Sequence, residues 1–220
     1  MITIDGPTGV GKSTVSRRLA AKIGFTYLDT GAMYRAVALT CLQKEVDHRD
    51  ENAVRKILDT LSLKLLPAQA ENDDVRVLLN GEEVGAQIRT PEISMIASAV
   101  SALRPVRERL TRMQQELGSA GKIVAEGRDT GTVVFPGAAW KFFLDADPQV
   151  RARRRIIQLR NSGEKVDDDE ILAQILKRDR DDSERTLAPL KAAPDAVHIN
   201  STDLEADAVV EQMLQVVLGK

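Results

Sequence analysis

Residues 6–14 read Gly-Pro-Thr-Gly-Val-Gly-Lys-Ser-Thr (GPTGVGKST) and contain the complete pattern G-x-x-x-x-G-K-[ST]. An apolar run, ITID at 2–5, precedes the pattern, and apolar residues at helical spacing follow it over 12–23. A strand, a glycine loop and a helix in this order form a phosphate-binding loop, because the loop N–H groups turn inward and the helix N-terminus adds its positive dipole. The sequence therefore predicts a nucleoside-triphosphate site at the first strand.

Two side chains of this loop carry the expected chemistry. Lys12 is placed to reach the β- and γ-phosphates of ATP, and the Ser13 hydroxyl is placed to hold Mg²⁺. We expect the whole loop to bind the ATP phosphates, and its residues are Gly6, Pro7, Thr8, Gly9, Val10, Gly11, Lys12, Ser13 and Thr14.

The loop alone does not separate a kinase from a GTPase or an ATPase. The chain lacks the Asn-Lys-x-Asp run and the D-x-x-G switch after a strand that a GTPase needs, and it is short for a motor ATPase. The small kinases of nucleotides and metabolites therefore remain.

Composition excludes several kinds of partner. The 220 residues carry a formal net charge of -2, and aromatic residues make up 3% of them, so we expect neither a nucleic-acid nor a membrane surface. Cys41 has no second cysteine for an internal disulfide, which suits a reducing compartment. The N-terminus lacks the features of a signal peptide, and no apolar stretch approaches bilayer length. We expect a cytoplasmic protein with no membrane segment, and a monomer.

Strand-like and helix-like segments alternate along most of the chain, which predicts an α/β fold with a parallel sheet flanked by helices. The five candidates for parallel strands are residues 2–5, 25–28, 122–126, 140–144 and 196–199. The helix candidates lie at about 12–23, 32–44, 51–60, 91–103, 105–118, 148–161, 167–185 and 204–218.

The pattern changes over residues 62–95. Two pieces, SLKLLPA at 62–68 and VRVLLNGEEV at 75–84, are strand-like, and the second contains a strong hairpin signal at Asn80-Gly81. Thr90 and Pro91 predict the N-cap and the first residue of the next helix. We therefore predict a small antiparallel insertion at 62–95 in a core formed by 1–61 and 96–220, with a helical lid at about 148–185.

Polar residues follow the second strand, at the edge where open α/β sheets bind ligands. Tyr34 and Arg35 lie one helical turn beyond that strand end and are candidates to face a ligand phosphate or sugar. Thr30 either caps the helix or contacts the ligand. A planar guanidinium binds phosphate through two hydrogen bonds, so arginines near this edge are candidate phosphate ligands.

Two further arginine groups lie on predicted lid helices. Arg151, Arg154 and Arg155 share a helical face by i, i+3 and i+4 spacing. They either close over the transferred phosphate or pair with the acidic run at 167–169. A second stripe contains Arg178, Asp182 and Arg185, and is either a sugar site with a carboxylate between two arginines or an exposed ladder of ion pairs.

The stretch EGRDTGT at 126–132 follows a buried apolar run. Arg128 and Asp129 stand between two glycines that let ligand and backbone approach closely. Adjacent residues in extended backbone point in opposite directions, so we expect these two side chains to have different partners and to form no mutual ion pair.

Six blocks of the sequence together resemble the bacterial cytidylate kinase (CMP kinase) family. They are ITIDGPTGVGKST, LDTGAMYRAVAL, IRTPEISMIASAVSALRPVRERL, VAEGRDTGTVVFP, KFFLDADPQVRARRR and RDRDDSERTLAPL, in the order of the family, from Ile2 to about Leu190. The phosphate loop is shared with many families, whereas the later blocks are much more specific. The resemblance implies a P-loop kinase core, a monophosphate-binding insertion that is enlarged in bacterial members, and a lid.

The resemblance also implies roles for individual residues. The positions that read cytosine are Ser98, Arg107 and Asp129. The positions around the acceptor's sugar are Tyr34, Asp182 and Arg185, with Thr30 standing where serine is common. The arginines that hold the acceptor's phosphate are Arg35, Arg128 and Arg178. The catalytic cations implied by the resemblance and the phosphate loop are Lys12, Arg128, Arg151, Arg154 and Arg155.

The chemistry of the base agrees with this set. Cytosine presents an amino donor beside the N3 and O2 acceptors, so Asp129 and Ser98 can accept while Arg107 donates. Uracil reverses this pattern, and a polar mismatch of this kind discriminates strongly because it leaves buried groups unpaired. Besides Thr30, two departures from the family are Ser13, where many members carry a smaller residue, and the absence of a second basic residue directly after Asp182.

The expected reaction is Mg²⁺-dependent transfer of the ATP γ-phosphoryl group to CMP or dCMP, giving ADP and CDP or dCDP. No general base is needed because the acceptor phosphate is already an anion, so positioning and charge neutralisation carry the catalysis. The alternative enzyme is a UMP or AMP kinase of the same fold. A non-enzyme alternative, an ATP-binding regulator or an RNA-binding module, predicts lost lid arginines or a basic stripe.

Overall fold

The computed structural model describes residues 1–66, 73–161 and 163–219. The strands are β1 (Ile2–Asp5), β2 (Thr26–Asp29), β3 (Leu63–Leu66), β4 (Arg76–Leu79), β5 (Glu82–Glu83), β6 (Ile123–Gly127), β7 (Trp140–Asp145) and β8 (Val197–Asn200). The α-helices are α1 (Lys12–Ile23), α2 (Thr30–Gln43), α3 (Glu51–Thr60), α4 (Pro91–Val100), α5 (Arg104–Gly118), α6 (Pro148–Asn161), α7 (Asp168–Glu184) and α8 (Ala206–Leu218). Every strand and helix predicted from the sequence is present among the described residues.

The main sheet has five parallel strands in the order β2-β6-β1-β7-β8, which confirms the predicted fold class. β1 lies at its centre and is buried along its whole length, which explains its continuous apolar run. The register pairs Asp5 with Gly127 and Asp29 with Glu126. The carboxyl ends of β1, β2 and β6 therefore meet at one edge, where ligands bind in sheets of this kind.

Helices cover both faces of this sheet. On one face, Leu19 of α1 and Val210 and Met213 of α8 pack with the apolar side chains of β1 and β7. A second buried cluster joins α2, α3, α4 and α5 to the insertion. Burial of apolar side chains on both faces supplies the main driving force for this layered architecture.

The insertion is a three-stranded antiparallel sheet in the order β3-β4-β5. Asn80 and Gly81 both have positive φ, 51° and 91°, as a tight two-residue hairpin requires, so the hairpin prediction is confirmed. Residues 67 and 68 of the predicted strand lie outside the described residues. Val77 and Leu79 pack in the same apolar cluster as α2, so the insertion shares a core with the helices beside it.

Helix ends follow local chemistry. Gly24 ends α1 in the left-handed conformation with φ 67°. Thr90 caps α4, as predicted, by accepting from the N–H of Ile93 at 3.2 Å. The cap of α2 is a correction, because Asp29 accepts from the N–H of Ala32 while Thr30 is the first helical residue.

Two features of the fold lie beyond the predictions. A single π-helical turn at Thr130–Val134 follows β6. Helices α6 and α7 pack against each other around a small apolar cluster that includes Ile156, Leu159 and Ile175.

The acidic run at 167–169 caps α7 through Asp167 and pairs with Arg160 through Asp168. In the described part of the chain, no helix combines the length and the apolarity that crossing a bilayer demands.

Candidate active site

The phosphate loop connects the end of β1 to the start of α1 with an unusual backbone. Gly9 and Gly11 have φ values of 76° and 97°, which L side chains rarely adopt. At Gly6 a Cβ atom would stand 2.0 Å from the carbonyl oxygen of Leu144, so no larger residue fits there. Gly11 occupies the N-cap of α1 without a side-chain cap, so the first N–H groups of the helix are available to an anion.

Lys12 lies inside this loop with 8% of its surface exposed. Its Nζ donates to the carbonyl oxygen of Pro7 at 2.7 Å. Burial and the nearby Arg128 lower the pKa of the Lys12 ammonium to about 7. The site therefore holds a cation at a cost in desolvation that a polyphosphate would offset.

A carboxylate that the sequence analysis missed stands next to Ser13. Glu126 is 4% exposed, and its Oε1 accepts from the Ser13 hydroxyl at 2.7 Å and from the Tyr27 hydroxyl at 2.6 Å. Its Oε2 is buried and has no hydrogen-bond partner. Burial and the carboxylate of Asp29 raise the pKa of Glu126. Its place at the end of a buried apolar strand was the signal in the sequence.

The Ser13 hydroxyl and the Glu126 carboxylate fit a magnesium ion. Mg²⁺ uses oxygen ligands and is usually held by one or two carboxylates together with substrate phosphates and water. The unpartnered Oε2 of Glu126 is the observation that supports the fit. Among residues 1–66, 73–161 and 163–219, no cluster of three or more His, Cys, Asp or Glu side chains forms a complete protein-only metal cage.

Asp182 of α7 has several partners among the residues that the sequence analysis assigned to the acceptor site. Its Oδ2 accepts from Arg128 Nε at 2.9 Å, and its Oδ1 accepts from the Ser98 hydroxyl at 2.9 Å. Arg185 Nη1 and Arg178 Nε stand 3.5 Å and 4.0 Å from the same carboxylate. Burial alone would raise the pKa of Asp182, but the arginines outweigh burial and hold that pKa below its usual value.

Asp129 forms a second ion pair close by. Its Oδ2 accepts from Arg107 Nη1 at 2.6 Å, and its Oδ1 is 3.4 Å from Arg185 Nη2. The Arg107 guanidinium also lies 5.2 Å from the centre of the Tyr34 ring, within the range of a cation–π contact. Ser98, which was predicted to act with Asp129, instead donates to Asp182.

The remaining residues of the predicted acceptor site lie on the same edge of the sheet. Arg35 pairs with Asp29 at 2.7 Å, and the Thr30 hydroxyl donates to the carbonyl oxygen of Glu126 at 2.6 Å. The Nε groups of Arg35 and Arg178 are buried without a hydrogen-bond partner. Burial, followed by the nearby Arg128, lowers the pKa of Arg178 to about 10. Two partly exposed guanidinium groups with buried, unused Nε–H donors suit an anionic ligand.

The three predicted lid arginines have different surroundings, and none pairs with the acidic run. Arg151 is buried, pairs with Asp179 and donates to the carbonyl oxygen of Thr8 at 3.0 Å. Arg154 donates to backbone carbonyls between Ser201 and Leu204, with the shortest bond 2.7 Å long. Arg155 donates to the Gln158 side chain at 2.9 Å.

Part of this set of residues lines one cleft of about 890 Å³. Among its lining residues are phosphate-loop residues 8–14, the arginines 35, 128, 154, 155 and 178, and part of α4. Thr8 connects the phosphate loop to α7 and to the loop after β6, since its N–H donates to Asp179 and its hydroxyl accepts from Arg128. A phosphate loop thus faces a set of arginines across a space large enough for nucleotides.

Comparison with known proteins is consistent along the whole chain. The family described as Cytidylate kinase matches residues 2–218. A cytidylate kinase of Carboxydothermus hydrogenoformans is 44% identical over 98% of this chain and 96% of its own length, and one of Pasteurella multocida is 46% identical over 97% and 93%. A shikimate kinase structure from Bacteroides thetaiotaomicron, 15% identical over 99% of this chain and 97% of its own, superposes with a TM-score of 0.51 and supports the fold. The chain belongs to the cytidylate kinase family.

Proposed function

We propose that this chain transfers the γ-phosphoryl group of ATP to CMP or dCMP, giving ADP and CDP or dCDP. The observation that carries the proposal is the set of three arginines, Arg35, Arg128 and Arg178, that line one cleft together with the phosphate loop. Arg128 is held by the buried carboxylate of Asp182, and the buried carboxylate of Asp129 pairs with Arg107 close by. Membership of the cytidylate kinase family supports the same acceptor and does not favour the UMP or AMP alternative.

On the donor side, the phosphate loop binds ATP. The N–H groups of residues 9–14 and the Lys12 ammonium neutralise its phosphates, and Arg151 lies beside the loop for the same purpose. Ser13 and Glu126 would hold Mg²⁺, directly or through water. The chemistry that a bound Mg²⁺ supplies is neutralisation of charge on the β- and γ-phosphate oxygens.

On the acceptor side, the Asp129–Arg107 pair reads the base. The Asp129 carboxylate accepts from the cytosine amino group, and Arg107 donates to N3 and O2. Each side chain keeps part of its present ion pair while serving the base, because both have further donors or acceptors. Uracil would place a carbonyl oxygen against Asp129, which is a repulsive contact in a buried site.

The acceptor phosphate is assigned to Arg35, Arg128 and Arg178, whose unused N–H donors support this role for two of them. We assign the acceptor's sugar to Tyr34, Asp182 and Arg185. Ser98 is held by Asp182, and Thr30 by the Glu126 carbonyl. The acceptor phosphate is itself the nucleophile. Its alignment by three cations and the stabilisation of spreading charge replace a general base.

The division of the chain follows these roles. We assign residues 1–61 and 96–220 to the kinase core, 62–95 to the monophosphate-binding insertion and about 148–185 to a lid that excludes water. The separate apolar cluster between α6 and α7 supports a lid that moves as a unit. We further propose a cytoplasmic monomer, which the buried free thiol of Cys41 suits.

The deciding experiment is a panel of acceptors, CMP, dCMP, UMP and AMP, in a coupled assay that measures ADP release with Mg²⁺ and ATP. We expect kcat/KM for CMP or dCMP to exceed that for UMP and AMP by at least about a hundredfold. Turnover with UMP or AMP equal to that with CMP would overturn the acceptor assignment. Release of ADP that is independent of any acceptor would indicate an ATPase instead.

A further inference from the structure

The carboxylate of Asp5, at the end of β1, is buried against the turn that follows Asp129. Asp5 is 3% exposed. Its Oδ1 accepts from the N–H of Thr130 at 2.8 Å and from the Thr130 hydroxyl at 2.7 Å. Its Oδ2 accepts from the N–H of Gly131 at 2.7 Å. Three donors from one short segment therefore converge on a single carboxylate.

These donors belong to the start of the π-helical turn and have no partner within it. The hydrogen bonds inside the turn begin later, with the N–H groups of Val133 and Val134 donating to the carbonyl oxygen of Asp129. The first N–H groups of any helical turn need an external acceptor. Thr130 is 1% exposed and Gly131 is buried, so water is a poor substitute for Asp5 at this point.

The contact is close because residue 131 has no side chain. A Cβ atom on Gly131 would stand 2.8 Å from the Thr3 hydroxyl and 3.3 Å from Oδ2 of Asp5. A larger residue would force the turn or these side chains to shift. Asp5 thus supplies the hydrogen-bond acceptor, and Gly131, which has no side chain, lets the turn come close enough to donate to it.

The position of Asp129 depends on this attachment. β6 ends at Gly127, and Asp129 has φ -143° and ψ 20°, which is neither strand nor helix. Nothing in a regular element fixes the direction of its side chain, yet its Oδ2 lies 2.6 Å from Arg107 Nη1. The two N–H groups directly after it, tied to Asp5, hold the backbone from which that side chain projects.

We propose that Asp5 is a positioning residue for acceptor selectivity, which fixes Asp129 through the amides of Thr130 and Gly131. This inference rests on the proposed role of Asp129 in reading the base. Because Asp5 directly precedes Gly6, one strand end supports both the phosphate loop and the base-reading residue. Asp5 differs here from Glu126, whose free Oε2 suits a metal, since both oxygens of Asp5 are engaged.

The main test is Asp5→Asn, which keeps the shape but turns one acceptor oxygen into a donor. The measurements are kcat/KM for CMP and for UMP, and the Kd of a fluorescent ATP analogue. We expect the CMP/UMP ratio to fall about tenfold while the Kd of the ATP analogue changes less than about twofold. A folded variant whose ratio stays within about twofold of wild type would overturn the inference.

A milder pair of variants covers the case in which Asp5→Asn does not fold. Thr130→Val keeps the backbone N–H and the side-chain shape but loses the hydroxyl that donates to Oδ1 of Asp5. We expect it to lower the CMP/UMP ratio about threefold and Thr130→Ser to restore most of that loss. An unchanged ratio in Thr130→Val, measured on folded protein, would count against Asp5 as strongly as the first test.

A core variant separates positioning from general destabilisation. Val210 is fully buried in α8, remote from the acceptor residues, so Val210→Ala should lower the unfolding temperature and leave the CMP/UMP ratio unchanged. An equal loss of selectivity in Val210→Ala and Asp5→Asn would mean that Asp5 is merely structural.

Asp129→Ala shows which proposal has failed. If Asp129→Ala abolishes the preference for CMP and Asp5→Asn keeps it, the inference about Asp5 alone is wrong. If Asp129→Ala also keeps the preference, the proposed base reader is wrong, and with it the inference that rests on it.

Discussion

Arg128 donates through Nε to the carboxylate of Asp182 at 2.9 Å, although the two residues stand 54 positions apart in the chain. The bond joins the loop after β6 to the helix α7. Arg128 also donates to the hydroxyl of Thr8 at 2.8 Å. One guanidinium therefore contacts the phosphate loop and Asp182 together, which supports the proposal that Arg128 acts on the transferred phosphoryl group.

Asp182 should make folding stability depend on pH in the acid range. Its pKa is lowered by Arg128, Arg178 and Arg185 despite burial, so the native state binds its proton less readily than the unfolded chain does. The stabilisation is present above the unfolded pKa of about 3.8 and is lost as pH falls through the lower folded pKa. Asp182→Asn should therefore lose stability near neutral pH and flatten the acid decline.

Thermal unfolding between about pH 6 and about pH 3 measures this effect. The matched control is Asp181→Asn, because Asp181 is the next residue but belongs to an exposed pair with Lys177. We expect the control to follow the wild-type profile. Identical profiles for both variants would contradict the role given to Asp182.

Asp129→Ala should lower kcat/KM for CMP and dCMP by about 10- to 100-fold, because a charge-assisted hydrogen bond to the base is lost and Arg107 is left without its close partner. ATP binding should be nearly unchanged. Steady-state kinetics with each acceptor and titration of an ATP analogue give the two quantities. Equal losses in acceptor turnover and ATP affinity would speak against a base-reading role.

Lys12→Ala should reduce kcat by at least about a hundredfold, because the phosphate loop loses the cation that stabilises the negative charge on the phosphate oxygens in the transition state. The fold should survive, since removing a buried ammonium also removes its desolvation penalty. Turnover and the unfolding temperature are measured on the same preparation. A folded variant with wild-type kcat would exclude Lys12 from catalysis.

Glu126→Gln should raise the Mg²⁺ concentration needed for half-maximal turnover, by about tenfold, because the amide replaces the unpartnered carboxylate oxygen. Glu126→Asp retains a carboxylate and should recover part of the affinity. Titration of Mg²⁺ at saturating ATP and CMP provides the measurement. The metal assignment is wrong if Glu126→Gln and wild type share one Mg²⁺ dependence.

Arg151 and Arg160 offer a comparison within one helix. Arg151 is buried beside the carbonyl of Thr8, whereas Arg160 forms an exposed pair with Asp168. Arg151→Gln should lower kcat about a hundredfold, and Arg160→Gln should leave kcat and stability close to wild type. Comparable activity in the two variants would remove Arg151 from the catalytic cations.

The sequence predicted the elements well because its local signals were strong and consistent. The glycine loop, the apolar strands and the Asn80-Gly81 hairpin each have a direct physical cause in nearby residues. The cap of α2 was harder, because Asp29 and Thr30 are both good caps and only the backbone decides between them. The π-helical turn was missed because its anchor, Asp5, is remote in sequence.

The separation of Arg128 from Asp129 is a confirmed prediction whose stated reason was wrong. The two side chains do have different partners, Asp182 and Arg107. Extended backbone is not the cause, because β6 ends at Gly127 before either residue. The partners themselves draw the side chains apart, and those partners come from α5 and α7.

By itself, the sequence determined the phosphate loop, the order of strands and helices and the residue types of the acceptor site, because glycine geometry, apolar periodicity and charge act over a few residues. The tertiary structure alone decided the strand order that puts β6 beside β1, and hence Glu126 beside Ser13 and Asp5 under Thr130. It also decided that the Ser98 hydroxyl donates to Asp182 instead of Asp129. Such pairings depend on which buried donor finds which acceptor when distant segments pack, and no local pattern encodes that choice.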